Sequence, residues 1–323
     1  MQDRLGPTHV GVYGALQPIA DLLKLVQKED IIPAKADKIF FKIAPILIFV
    51  SIFTAFAVVP LTSGMVGSGI ETGVFFLMSI VSLDVIGLLM AGWASNNKYA
   101  LFGAMRSLAQ IISYEIPMGL SILSVVILAQ SLDLQEISYQ QSILSITNTD
   151  ESYISGGFLS WYIFKTPHLF IAYIIFFIAT LAECNRAPFD IPEAESELVA
   201  GFHVEYSGFR FAIFFLAEYA TMLLVSLLGA ILFFGSWNTA LPNLGTIKLA
   251  DWTTGTPGSV SGHLWGAFWL VSKAFIAMLI QIWIRWTFPR LRVDQLMSLC
   301  WKVLTPAALI MIICSALWKL WGV

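Results

Sequence analysis

Residues 210–235 read RFAIFFLAEYATMLLVSLLGAILFFG, and their reading decides the fold. Over this whole stretch only Arg210 and Glu218 are charged. A membrane-crossing helix needs about 20 mainly apolar residues, so the segment is long enough and apolar enough to span. Six further stretches qualify on the same ground: 40–60, 73–93, 111–130, the shorter 168–183, 264–286 and 304–321. Composition agrees. The chain is 58% hydrophobic and 12% charged, with a mean hydropathy of +0.79, whereas a soluble domain carries about 25% charged residues. The expectation is an all-α, polytopic transmembrane helical bundle of seven spans, forming a single membrane domain over residues 1–323.

Basic residues orient it. Residues 1–38, 94–110, 184–209 and 287–303 alternate along the chain with 61–72, 131–167, 236–263 and the C-terminal tip. Fourteen Lys and Arg fall in or beside the first set, and only Lys165, Lys248 and Lys319 in the second. The positive-inside bias therefore places the first set, with the N-terminus, in the cytoplasm. Within the cytoplasmic segment 1–38, residues 15–29 carry Leu16, Ile19, Ala20, Leu23 and Val26 at helical spacing, with Gln17, Asp21, Lys24 and Lys28 opposite. This pattern predicts an amphipathic helix lying in the membrane interface, packed on a partner protein, or both.

Charges inside spans are costly and mark pathways by default. Asp84, Glu115, Glu218 and Lys273 are such charges, each with a structural alternative in an ion pair between helices or a helix-end anchor. Lys273 lies too deep to reach the interface easily, so it is expected to pair with Glu115 or a carboxylate of the 183–205 segment. That segment, within an acidic cytoplasmic loop over 184–209, is the densest signal. It holds Glu183, Asp190, Glu193, Glu195, Glu197 and Glu205, opposed by Arg186 and Arg210. A charge run is ordinarily a solvated face. Here Phe189, Ile191, Leu198, Val199 and Phe202 are interleaved, which predicts a packed loop whose carboxylates titrate as a coupled group.

Other chemistry finds little support. Cys184, Cys300 and Cys314 are far apart, and His9, His168, His203 and His263 show no metal-ligand spacing. Neither a Gly-rich dinucleotide fingerprint nor a phosphate loop is present, so no metal, flavin or nucleotide is expected on this chain alone. A net charge of −3 offers no nucleic-acid footprint.

Five stretches carry a family resemblance: QDRLGP (2–7), LQPIADLLKL (16–25), GWASNNKYALFGAMRSLAQIISYEIP (92–117), AECNRAPFDIPEAESELVAGFHVEYSGFRFAIFFLAEY (182–219) and FPRLRVDQLMSLCWK (288–302). Together they resemble the H-subunit family (subunit 1 in mitochondria and chloroplasts) of respiratory complex I, the proton-translocating NADH:quinone oxidoreductase. The resemblance implies a membrane protein at the junction of the two arms, forming the quinone-access channel. Quinone is then the substrate, flavin and iron–sulfur clusters sit on partner subunits, and the partners are peripheral-arm quinone-site subunits, membrane-arm subunits and the bilayer.

By the same resemblance, Arg4, Asp21, Arg186, Phe189 and Asp190 belong to the quinone chamber. Glu115, Glu183, Glu193, Glu195, Glu197, Glu205, Glu218 and Lys273 belong to the proton pathway, and Arg285, Arg290, Arg292 and Asp294 form a basic segment. No residue is implied as catalytic by itself, and the expected location is a bacterial inner membrane. The family has eight spans, the first preceding the QDRLGP motif. Here Met1 directly precedes Gln2, so the expectation is either a start assigned to an internal methionine, which is favoured, or a truncated chain. Asp84 matches none of the motifs. Two rival readings are a homologous membrane protein of a hydrogenase-type or ferredoxin-driven complex, and an independent ion transporter. The halves of the chain show no repeat of the kind a transporter would carry.

Overall fold

The computed structural model describes residues 6–142, 154–155, 157–191, 199–244, 253 and 258–321. Each predicted span is helical. In chain order the elements are α1 (Gln17–Gln27), α2 (Lys38–Phe56), α3 (Gly73–Val81), α4 (Leu83–Ala94), α5 (Lys98–Ala129), α6 (Leu134–Gln140), α7 (Tyr162–Lys165), α8 (Pro167–Glu183), α9 (Gly208–Phe233), α10 (Val260–Thr287), α11 (Val293–Leu299) and α12 (Thr305–Leu320). Helix α3 continues into α4, and α11 continues into α12 through a π segment at Cys300–Leu304. Counted so, six helical stretches among the described residues are long and apolar enough to cross a membrane, and α8, at 17 residues, is shorter. The chain is a multi-pass membrane protein. One addition to the all-α expectation is a two-stranded antiparallel pair of β1 (Ile154–Ser155) and β2 (Asn243–Leu244).

Local chemistry sets the helix boundaries. Asp37 caps α2 by accepting from the Ile39 amide at 3.1 Å, and Asn97 caps α5 through the Tyr99 amide at 2.9 Å. Because of this cap α5 begins at Lys98 rather than at 111, and it is 32 residues long. Pro117 inside α5 has no N–H to give the Ser113 carbonyl. The Cys300 thiol takes up that acceptor at 2.9 Å, at the point where the π segment begins. Between α3 and α4 the Ser82 hydroxyl bonds back to the Met78 carbonyl at 2.9 Å. A turn at Ser82 divides α3 from α4 there, and Asp84 lies in the first turn of α4.

Small residues let the helices approach closely, the usual device of membrane bundles. Helix α4 packs on both α2 and α5, and a Cβ on Gly92 would lie 2.3 Å from that of Ala104. Gly103 touches the 199–207 segment: a Cβ there would lie 2.8 Å from Gly201 Cα and 2.9 Å from the Phe202 nitrogen. Backbone cannot swing aside as a side chain does. Gly103→Ala is therefore expected to cost about 1–3 kcal/mol by overpacking, read as a lower thermal unfolding midpoint of the purified protein. An unchanged midpoint would refute so close a contact.

Outside the core, α10 is the least enclosed long helix. Only Gly266, Leu270, Ala274 and Gln281 of its 28 residues are buried, while Leu264, Phe268, Phe275 and Trp283 are exposed. Helix α1 buries no residue and exposes Leu16, Ile19, Leu22, Leu23 and Val26, as an amphipathic element does when its apolar face meets lipid or another protein. It packs against α9.

Candidate functional site

The C-terminal end of α8, the N-terminal half of α9, the start of α4 and the 199–207 segment enclose a cavity with about 40 Å³ of space for water. One water needs roughly 10–15 Å³ by this measure, so the space suits a short file of waters. Its walls carry Asp84, Glu183, Asn185, His203, Glu218 and Thr221 among apolar groups. Asp84 comes from the first turn of α4, Glu183 from the last residue of α8 and Glu218 from α9. Asp84 Oδ1 and Glu183 Oε2 are buried without a hydrogen-bond partner among the described residues. Glu183 is within Coulomb reach of Glu115 and Asp84. The Ser82 hydroxyl at the α3–α4 break donates to the Glu115 carboxylate, so the break that places Asp84 also holds Glu115.

One side of the cavity is closed by charge pairing. Arg186 Nε lies 3.5 Å from Glu218 Oε1, and its guanidinium sits 4.5 Å from the centre of the Tyr219 ring. Burial works against the Arg186 charge, but Glu218 and Tyr219 outweigh it and hold the guanidinium above its ordinary range. Asn185, with φ 47°, turns the chain after α8, and Gln110 of α5 ties that turn down. It donates to the Ala182 carbonyl at 2.8 Å and to Asn185 Oδ1 at 3.2 Å.

Beyond the turn, Asp190 pairs with Arg290 at 2.9 Å, and the Leu291 amide donates to the Pro188 carbonyl at 3.0 Å. Burial lifts the Asp190 carboxyl above its ordinary value against the pull of Arg290. Phe189 is buried with its ring 5.5 Å from that of Tyr114, whose hydroxyl donates to the Leu296 carbonyl at 2.9 Å. Phe189, Ile191 and Phe202 are thus packed as their interleaving predicts, and Val199 is exposed.

Of the residues singled out by sequence, Asp84, Glu183 and Glu218 line this cavity, Glu115 and Arg186 stand beside Glu183 and Glu218, and Phe189, Asp190 and Arg290 follow along the chain and its pairings. Arg285, in the last turn of α10, lies within Coulomb reach of both Asp190 and Glu218. Others stand apart. Glu205 accepts from the Asn97 side chain at 2.7 Å, beside the start of α5. Arg292 and Asp294 open α11, where the Arg292 amide bonds Gln295. Asp21 is exposed on α1 and accepts from Gln17 at 3.0 Å. Arg210, counted as opposing the acidic loop, pairs with Asp30 at 2.8 Å. Arg4, Glu193, Glu195, Glu197 and Leu198 lie outside the described residues.

Lys273 corrects its expected pairing. It meets neither Glu115 nor a loop carboxylate among the described residues. Its ammonium donates to the carbonyls of Phe234, Ser236 and Asn238 at 2.7, 2.8 and 2.6 Å, and the Trp161 ring centre is 4.2 Å away. The chain leaving α9 bends so that its carbonyls reach the lysine at that depth.

Two cavity residues have no place in the site that the sequence motifs imply. Asp84 is visible as a charge in an apolar stretch but matches no motif. His203 reads as one of four scattered histidines. Burial pulls its imidazole down to about 4, so it lines the cavity as a neutral group.

A family model described as NADH dehydrogenase matches residues 1–316. The chain is similar to an H-subunit of NADH-quinone oxidoreductase, numbered 2, from Cytophaga hutchinsonii, at 59% identity over 99% of this chain and 92% of that one. It is likewise similar to the H-subunit of NADH-quinone oxidoreductase from Chlorobium luteolum, at 51% identity over 99% and 82% of the two chains. The same-named protein of Chlorobaculum parvum is 51% identical over 98% and 84%.

Proposed function

We propose, from the premise that this chain belongs to the NADH dehydrogenase family as an H-subunit of NADH-quinone oxidoreductase, that its buried acidic cavity links quinone reduction to proton movement. The observation that carries this reading is the convergence of Asp84, Glu183 and Glu218, from three helices, on one water-sized cavity, with Glu115 held nearby. Carboxylates this close in a low-dielectric site cannot all ionise at once, so a proton gained by one is felt by the rest. Arg186 bridges the cavity to the Phe189–Asp190 turn and Arg290, which on this reading form part of the quinone chamber with Arg4 and Asp21. A change of charge at quinone would reach Glu218 through Arg186. Glu193, Glu195, Glu197 and Glu205 would extend the acidic path. The flavin and iron–sulfur clusters belong to partner subunits, and the chain sits in a bacterial inner membrane with its N-terminus cytoplasmic.

The test replaces Glu115, Glu183 and Glu218 singly by Gln in the assembled complex. Proton pumping per NADH oxidised is expected to fall in each, most for Glu218→Gln, which also removes the partner of Arg186. Wild-type pumping and quinone reduction in all three variants would refute the reading.

A further inference from the structure

The acidic cavity is followed by a second, smaller one between α8, α9 and α10, with about 10 Å³ of space, about that of a single water. Thr180, Ser226, Lys273 and Gln281 line it. Gln281 is 3% exposed, and its Oε1 has no hydrogen-bond partner among the described residues. The Thr180 and Ser226 hydroxyls donate to the Phe177 and Met222 carbonyls, both at 2.8 Å, which leaves their lone pairs free. These groups suit one hydrogen-bonded water.

The two cavities are kept apart by a small apolar cluster of Cys184, Met222 and Val225, with Met278 packed against it. Cys184 lines the first cavity and Val225 the second. At the far end of the second cavity stands Lys273, held by its three carbonyls. An ammonium has three donors and no lone pair. All three donors are used, so the group can neither take up a proton nor release one without leaving a carbonyl unmet. The three carbonyls and the Trp161 ring face favour its charged form, and as an ammonium it opposes any hydronium approaching along the cavity.

We propose that Met222, Val225 and Met278 with Lys273 form a proton barrier that insulates the acidic cavity from the outer face of the membrane. The proposal rests on the reading of that cavity as a proton route and on the orientation given by the basic-residue bias. A proton path that reaches into the bilayer from one side short-circuits the gradient if it runs on to the other. Here the apolar plug denies it a hydrogen-bonded chain, and the carbonyl-held ammonium raises the electrostatic energy of any proton that passes the plug. Lys273 is on this account a blocking charge and not a carrier.

The experiment reads passive leak, without NADH, in proteoliposomes holding the whole complex. A pH gradient is imposed, and proton entry is followed with a pH-sensitive dye. Lys273→Met and Met278→Ser are each expected to raise the leak several-fold, and Lys273→Arg to raise it less than Lys273→Met. Adding Glu218→Gln to Met278→Ser should bring the leak back toward wild type, because the route then lacks its first acceptor. A wild-type leak in Met278→Ser overturns the proposal, as does a Lys273→Met complex that loses pumping with no added leak. Should Lys273→Met fail to assemble, Met278→Ser decides alone. The acidic-route reading fails separately, when Glu115→Gln, Glu183→Gln and Glu218→Gln all pump normally.

Discussion

Arg186→Leu is expected to destabilise the protein by about 3–5 kcal/mol, the usual cost of removing one partner of a buried ion pair. Arg186 is 8% exposed, and both side chains of its pair with Glu218 are largely shielded from solvent. Leucine fills some of the space but leaves the Glu218 carboxylate facing Asp84 and Glu183 across the same cavity with its compensating cation gone. The loss should appear as poor assembly of the complex and a lowered unfolding midpoint in what is recovered. A double variant, Arg186→Leu with Glu218→Gln, removes both charges and should recover much of the stability, though not the proposed coupling between quinone and proton. If the single variant is as stable as wild type, the pair does not hold the loop to α9.

Gln141→Leu should cost on the order of 3 kcal/mol or more, since each buried polar group left unsatisfied costs about 1–3 kcal/mol. Gln141 is fully buried and works as a hub. Its amide donates to the Ile231 carbonyl at 3.0 Å, and its carbonyl accepts from the Gly235 amide at 3.0 Å and the Tyr162 amide at 3.3 Å. It thereby ends α9 and fixes α7 beside it. Leucine has similar bulk and none of these bonds. The sharper readout is local: the Gly235 and Tyr162 amides should exchange hydrogen faster in the variant, and unaltered protection at both would rule out the hub.

Much of this architecture is legible in sequence, and the exceptions have physical causes. Long apolar runs have one solution each, so the spans can be read directly. Helix α5 begins earlier than its apolar run because Asn97 caps it and residues 98–110 carry a face of small packed residues. Ala100, Gly103, Ala104 and Ser107 in that stretch are buried, against α4 and the 199–207 segment, so low hydropathy there reflects close packing and not a loop. The turn between α3 and α4 at Ser82 leaves no mark in the periodicity. Among site residues, Glu183 and Glu218 stand out because a charge in an apolar context is rare. Asp84 stands out too, but it cannot be placed without knowing which helices meet. The partner of Lys273 is illegible because sequence advertises carboxylates, whereas backbone carbonyls are everywhere and become ligands only where the chain turns.

That last contact bears on how the protein is made. Helix α10 has few buried residues of its own, so its entry into the bilayer depends largely on its own hydrophobicity, and a mid-helix lysine opposes that entry by about 2.5–3.5 kcal/mol. The carbonyls of Phe234, Ser236 and Asn238 lie upstream in the chain and leave the ribosome first. By the time α10 reaches the translocon, the acceptors for its charge are already synthesised on the neighbouring segment. The chain order is thus also a workable order of insertion for this lysine, which arrives after the groups that receive it.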